Sequence, residues 1–498
     1  MASRARTTGA ITFSLVGYLF LVELTSGILQ GFYVPLIPNI VSHLSIHDGD
    51  FNWFEAAQLL LSAIVVPVFS KLGDMYGHKR ILLVTTALTA GATWWLAVAA
   101  DFTTFLVAWS LQAFYVVWLP LEVALIFDRG RRSGSGRSQT RRAAGFLVVA
   151  LEAGAIIGAL GASRVLRAVD GDLMLTLFVP AIAVTLVFFA ILFGVPESEP
   201  QGRRSLDGVG FTLLSLGLLA ITAGLVFLRI SEIGDTLIPM ETRVVALVVS
   251  VVIGAAILGM FARWELRHPD PGIDLRVMRQ PAMWPVLITA GLFGISVLGA
   301  QAPLLTYAAT DPATYGYGLG LDEDTRSYLV GAYLVAMIVG ALLFAAISRR
   351  IAPRLALIVA TAFVAVGYLS FLPFHLEVWQ VILNMVIAGL GSGALVAALP
   401  AAAAAAAPVG QTGVASGMTN TTKTIGGAFA SAVFGVVLVT AAADVAETTV
   451  APLAGYMTVW AICGGGAVVA MLLLFFVPKL AFADVEEDLL PEVVPAED

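Results

Sequence analysis

The chain has 498 residues, of which 59% are hydrophobic and 12% charged, against about 25% charged in soluble domains. Its formal charge of -7 carries little information about partners, because the acidic excess owes much to the tail DVEEDLLPEVVPAED at 484–498, a solvated end. This composition excludes a soluble enzyme, and a single cysteine, Cys463, excludes a disulfide framework or a thiolate metal site.

Apolar runs of about 20 residues recur from end to end, each long enough to cross a hydrocarbon core about 30 Å thick as a helix. The alternating ten-residue segments of a β-barrel are missing. In chain order the runs fall at 10–33, 52–70, 81–100, 103–127, 143–164, 173–195, 207–229, 243–262, 283–305, 327–348, 355–374, 378–402, 412–440 and 454–478. They predict an all-α integral membrane protein of fourteen spans. The opening MASRARTT and its apolar run imitate a signal peptide, but the run outlasts an h-region and reads as the first span. The alanine run at 401–407 is kept helical by propensity.

Basic residues then alternate between loops. Arg4 and Arg6, then Lys71, Lys79 and Arg80, then Arg129, Arg131, Arg132, Arg137, Arg141 and Arg142 collect on one side, followed by Arg203, Arg204, Arg263, Arg267, Arg276, Arg279, Arg349, Arg350, Arg354 and Lys479. The opposite side has Arg164, Arg167, Arg229, Arg243 and Arg326. The rich side is cytoplasmic, so an even span number predicts both termini there. Topology also accounts for the Arg-rich loop 128–142 without nucleic acid.

Residues 70–82, SKLGDMYGHKRIL, read as a short charged turn between spans 2 and 3. Gly77 permits a tight bend, Lys79 and Arg80 hold the cytoplasmic face, and Asp74 is suited to meet a helix N-terminus. The stretch resembles the signature of the major facilitator superfamily, G-x-L-x-D-x-x-G-R-K-x-x-L. Leu72, Asp74, Gly77, Lys79 and Leu82 match, while Ser70 and His78 replace glycine and arginine. The resemblance implies that this loop latches two six-helix bundles, with Asp74 near the start of span 13 around Thr412. It also implies a pairing of position 78 with Asp128, which histidine would make pH-sensitive.

Fourteen spans resemble the drug:proton antiporter branch, which inserts a helix pair between the bundles. Three further stretches are similar to it: LDGVGFTLLSLGL at 206–218, FARWELRHPDPGIDLRVMRQ at 261–280 and GVASGMTNTTKTIGGA at 413–428. The expected organisation is an N-terminal bundle at 10–195, a hairpin at 206–262, a C-terminal bundle at 283–478 and an acidic cytoplasmic tail at 479–498. An internal repeat supports it: Gly145 precedes Gly154 by nine residues in span 5, as Gly417 precedes Gly426 in span 13. Such repeats place the ligand site at their interface near the midplane.

Three acids lie within spans, where an ionisable group faces a cavity or a partner. Glu23 in span 1 shares a side with Gly27, Gln30 and Gly31, at spacings of four, seven and eight. In span 4, WSLQAFYVVWLPLEVALIF, Trp109 stands where the family pattern R-x-x-Q-G has arginine, Gln112 is kept, and Ala113 replaces glycine. Pro120 kinks this helix, and Glu122 shares a face with Tyr115 in reach of cytoplasmic water or the Arg cluster. In span 5, GFLVVALEAGAIIGALG, the antiporter motif G-x8-G-x3-G-P-x2-G-G matches at Gly145, Gly154 and Gly158, then departs at Ala159, Ala162 and Ser163. Gly154, Gly158 and Gly161 form one close-packing face; Glu152 lies opposite, either carrying protons or buried against span 1.

Glu23, Glu152 and Glu122 are thus the candidate proton carriers. Gln30, Gln112, Tyr115, Trp118 and Asn420 are candidates for the cavity, with interhelical hydrogen bonding and packing as the alternatives. Lys423, matching a basic position of the branch and read as structural or gating in preference to substrate binding, joins Asp74, Gly77, His78, Lys79, Arg80 and Asp128 as a gating group. No phosphate loop, zinc-binding pair or nucleophile elbow is present, so the chain is not an enzyme and transport must draw on an ion gradient. The expected function is proton-coupled export of amphipathic or hydrophobic small molecules by alternating access, from a bacterial cytoplasmic membrane, as a monomer without cofactors. A facilitator or proton symporter is the alternative favoured by Trp109 and the degenerate antiporter motif. A sensor or lipid-binding scaffold without turnover is the third.

Overall fold

A computed structural model gives the fold in side-chain detail. It describes residues 13–133, 137–197, 207–229, 232–233, 236–269, 271, 273, 275–347, 353–406, 412–440 and 449–476. Among these, thirteen helices are long and apolar enough to cross a membrane. The eleventh run forms a shorter helix, Pro353–Ser370, packed between Val378–Ala406 and Leu453–Leu473. Between Gly208–Arg229 and Met240–Glu265 lies a small antiparallel β-hairpin, Glu232–Ile233 with Thr236–Leu237. The alanine run is helical through Ala406.

Prolines and glycines set the breaks. Span 1 is helical over Phe13–Phe32, then tightens into Val34–Leu36 and resumes as Ile37–His43, with Pro35 and Pro38 removing backbone donors there. Span 4 runs Phe102–Leu111, narrows to a 3₁₀ stretch at Gln112–Val117 and resumes at Trp118–Ser133. The 3₁₀ turns lie just ahead of Pro120, whose ring crowds the carbonyl of residue 116 and which donates no hydrogen bond to it. The expected turn at 70–82 is nearly all helix: Phe51–Tyr76 and His78–Ala97 are separated by Gly77 alone, at φ +106°. That backbone state requires glycine. Outside the membrane, Asp101 caps span 4 by accepting from the Thr103 and Thr104 amides at 2.9 and 3.0 Å. The bonds from Thr104 hold its carboxyl below the usual carboxylate range.

Spans 1 to 6 pack chiefly on one another, as do spans 9 to 14. The two sets meet along two seams, Phe51–Tyr76 against Thr412–Thr440 and Arg137–Ala168 against Glu323–Ile347. The helix pair Gly208–Arg229 and Met240–Glu265 leans on the first seam through its first member. At the base of that pair Asp207 accepts from the Gly210 amide at 2.8 Å and from Trp264 Nε1 at 2.9 Å, joining two of the stretches singled out from the sequence.

Backbone contact at glycine is the strongest local feature. A Cβ at Gly27 would overlap the Leu151 carbonyl oxygen, and one at Gly154 would overlap that of Leu24. The same reciprocal arrangement joins spans 9 and 13, where Gly294 meets the Lys423 carbonyl and Gly426 that of Gly291. It recurs between spans 10 and 12, with Gly340 on Leu390 and Gly393 on Met337. In each pair a glycine on one helix seats the carbonyl three residues before a glycine on the other, as close helix packing with Cα–H···O contacts requires. Gly154 and Gly426 therefore occupy equivalent places, in agreement with the repeat. Gly158 joins the seam against Ile28 and Phe32, and Gly31 meets Ala155. The expectation for Gly161 is corrected: a side chain there meets nothing within 4 Å, because the helices have diverged by that turn. Gly145 has surroundings outside the described residues.

At one end of the molecule the two sets are tied by polar bonds. Asn39 donates to Glu323 Oε1 at 3.1 Å and accepts from Arg326 Nη2 at 2.8 Å, while Arg167 pairs with Asp324. Asp48 donates its amide to the Thr449 carbonyl at 2.9 Å, and its Oδ2 accepts from the Ala451 amide at 3.1 Å and the Tyr456 hydroxyl at 3.0 Å.

Placing a methyl at Gly154 forces spans 1 and 5 apart, costing about 1–3 kcal/mol as overpacking does. Gly154→Ala should therefore lower the melting temperature in detergent by several degrees, whereas Gly161→Ala leaves it unchanged; equal melting temperatures for the two variants would refute the seam.

Candidate functional site

Glu23 and Glu122 are both 0% exposed. Span 1 presents Glu23 one turn before Gly27, and span 4 presents Glu122 directly after the Pro120 kink, so that the two carboxyls neighbour each other. No other described group hydrogen-bonds to either. The alternative weighed for Glu122, solvation by cytoplasmic water or the Arg cluster, does not fit this burial, because the kinked lower half of span 4 turns it inward against span 1. Two buried carboxyls side by side repel when both are ionised, and such a pair holds a proton in common at least cost.

Glu152 is half-buried. It points away from span 1 toward the second set of helices, where Lys423 of span 13 and Tyr333 of span 10 lie within electrostatic reach. Lys423 and Asn420 line a cleft of about 30 Å³ together with Thr419 and the apolar Phe293, Leu395 and Leu399. Lys423 thus sits among spans 9, 12 and 13, with Glu152 of the first set in electrostatic reach.

Gln112 is 1% exposed and donates to the Tyr33 hydroxyl at 2.9 Å and to Thr93 Oγ1 at 3.1 Å. Its work is interhelical, joining spans 1, 3 and 4. Trp109 fills the place of the family arginine within an aromatic cluster, stacked on Phe105 at 5.7 Å and edge-on to Tyr33 and Phe51. Trp118 is fully buried beside half-buried Tyr115, so it belongs to the core and does not line a cavity. Gln30 stands exposed and, among the described residues, bonds to Ser26 of its own helix at 3.5 Å.

In the signature stretch His78 is 2% exposed and pairs with Asp74 at 3.2 Å, one turn away. Lys79 donates to the Leu192 carbonyl at 2.9 Å, and Arg80 pairs with Glu197 at 3.4 Å. These bonds fasten the loop to the end of span 6 within the first set. The side chains of Asp128 and Thr412 lie outside the described residues.

Glu55 is a fourth acid, missed in reading the sequence although it lies in span 2, in FNWFEAAQLL. It faces Ser431 across the seam between spans 2 and 13, and applying the rule for acids within spans to every span would have found it. Asp48 gave no such signal, since its partners are some four hundred residues away in sequence.

The sequence matches the Major Facilitator Superfamily over residues 19–431 and 311–488. Among similar proteins, an uncharacterized MFS-type transporter of Bacillus subtilis, YfiU, is 25% identical over 392 residues, covering 78% of this chain and 71% of its own. A probable actinorhodin transporter of Streptomyces coelicolor is 27% identical, covering 77% and 65%. The quinolone resistance protein NorB of Staphylococcus aureus is 26% identical, covering 61% and 62%, so the chain spans less than two thirds of these last two. Among solved structures, a peptide transporter POT in complex with sulfate superposes with a TM-score of 0.65 at 17% identity, over 94% of each chain. The nucleoside transporter NupG gives 0.63 at 12%, over 93% and 98%. The chain is a multi-pass membrane protein, a transporter and not an enzyme, and it belongs to the major facilitator superfamily.

Proposed function

We propose that the protein is a proton-coupled exporter of amphipathic or hydrophobic small molecules, working as a monomer in a bacterial cytoplasmic membrane. Two six-helix bundles, 10–195 and 283–478, rock about the seams between them; the pair at 206–262 is an insertion, and Pro353–Ser370 completes fourteen spans with both termini cytoplasmic. The observation that carries this reading is the Glu23–Glu122 pair, buried together with no other partner among the described residues. A shared proton is stable while the pair is dry, and water reaching it in the other state lets the proton leave as the charge becomes solvated. The proton gradient then acts as the energy source, and no cofactor is invoked. The resistance protein and the probable antibiotic transporter among the relatives support export. A proton symporter is the second reading, favoured by Trp109, which leaves span 4 without the family's cation.

Everted membrane vesicles energised by an acidic interior test both. Ethidium, rhodamine or fluorescein should accumulate inside against the outward proton flux, and Glu23→Gln and Glu122→Gln should each cut that accumulation by roughly tenfold or more. Accumulation indifferent to the gradient, with both variants fully active, would defeat the proposal; dye moving only in the direction of the proton would select symport.

Rocking must break the bonds around Asn39. In the double variant Asn39→Cys, Glu323→Cys, an oxidative cross-link should abolish gradient-driven accumulation and a reductant should restore it. Undiminished transport by fully cross-linked protein would mean that this end does not open.

A further inference from the structure

Lys423 is a strong charge within a membrane helix whose counter-charge is not in contact with it. Glu152 lies within electrostatic reach, yet the described residues contain no contact ion pair between the two. An amine held in a protein interior gains its full compensation only from an anion at hydrogen-bond distance. The position of Lys423 is fixed, since its own carbonyl is seated on Gly294 by the backbone seam of spans 9 and 13. It also has a defined relation to Glu152. By the glycine repeat, Lys423 precedes Gly426 by three residues as Leu151 precedes Gly154, so acid and base occupy neighbouring positions on the two related helices. Spans 5 and 13 each form one side of a seam between the two sets, and transporters of this build bind their ligands near the midplane of that interface.

The surroundings of Lys423 are chemically divided. Asn420 and Thr419 lie beside it, and Phe293, Leu395 and Leu399 form the remaining wall. The cleft of about 30 Å³ has room for a carboxylate-sized group but not for a whole drug-like molecule. Lined by spans 9, 12 and 13 of the second set, it suits the polar end of a ligand whose apolar body lies against Phe293, Leu395 and Leu399.

We propose that the cleft at Lys423 receives the acidic group of an amphipathic organic anion, and that the anion displaces Glu152 as the counter-charge of this lysine. The proposal rests on the reading of the protein as an exporter of amphipathic molecules and narrows its substrate class to organic acids. Glu152 then serves as a placeholder: it balances the lysine when the cleft is empty and raises the cost of anion binding by its own charge. Proton coupling stays with Glu23 and Glu122, on other faces of spans 1 and 4.

The full-length protein in nanodiscs of zwitterionic lipid is titrated with 1-pyrenebutyrate and with its neutral analogue 1-pyrenebutanol, and binding is read by energy transfer from tryptophan after subtraction of empty nanodiscs. Pyrenebutyrate should bind about tenfold more tightly than the alcohol. Lys423→Gln should remove that preference without weakening the alcohol, Lys423→Arg should retain it, and Glu152→Gln should tighten the acid alone. Equal affinity of acid and alcohol for the unaltered protein overturns the proposal whatever the variants do. A preference that survives Lys423→Gln, or an acid affinity that falls in Glu152→Gln, overturns it as well, the latter by making the pair structural. Because binding is measured without a gradient, failure here leaves proton-driven flux as a separate question, and loss of flux leaves this result intact.

Discussion

The backbone contact between spans 1 and 5 is the constraint on which the site depends. Where Gly27 and Gly154 seat each other's neighbouring carbonyls, the helix axes approach as closely as two helices can, and rotation of either about its axis is blocked. Glu23 lies four residues before Gly27, on nearly the same face, so it is held at the edge of the seam where span 4 closes over it. Glu152 lies two residues before Gly154, about 200° around the helix, so the contact that hides one acid turns the other toward the opposite set of helices. A single steric fact thus assigns the two acids to different environments. Their chemistry differs for that reason and not because of their immediate sequence neighbours.

Much of this was legible in the residues. Hydropathy gave the helical runs, and the glycine spacing in spans 5 and 13 pointed to a repeat that reappears as matched backbone contacts. What escaped was whatever depends on rotation and on partners distant in the chain. For Glu122 solvation stayed open as the alternative, because it follows span 4 toward a cluster of arginines. The proline-induced 3₁₀ stretch at Gln112–Val117 changes the helical phase, and a count of 3.6 residues per turn across it misplaces the acid. Trp118 read as a cavity residue only because aromatic side chains suit apolar ligands, and packing was its alternative. The placement of Lys423 is set by Gly294 and Gly426, which motif matching does not rank. Gly161 continued a pattern of small residues beyond the point where the two helices remain in contact.

The two related sets of helices share a scaffold but not a charge pattern. Reciprocal glycine pairs hold spans 1 and 5, and likewise 9 and 13, yet the buried carboxyl pair lies only in the first set, and the cleft lysine in the second. Sequence symmetry in the backbone with asymmetry in the charges is what a two-bundle machine needs if one bundle is to handle protons and the other a ligand. The repeat preserves how the helices fit, because a side chain added at Gly154 or Gly426 collides with backbone that cannot yield. It leaves the cavity-facing positions free to diverge, because there a new side chain meets space.

Energy must also pass between the bundles, and the polar ties at the Asp48 end bound how much. Asn39, Asp48 and Arg167 together make six bonds across the sets. Counted at about 1 kcal/mol net each, they would sum to roughly the 5.5 kcal/mol that reverses a 99:1 preference between two states. A proton moving through a potential of 100 mV supplies about 2.3 kcal/mol, so proton movement alone is too weak to break all of them without return. The ties can therefore open in a working cycle only if water and new contacts at the other end replace most of what is lost. That places the burden of switching on small differences: whether the Glu23–Glu122 pair is dry or wet, and whether Lys423 faces Glu152 or a ligand.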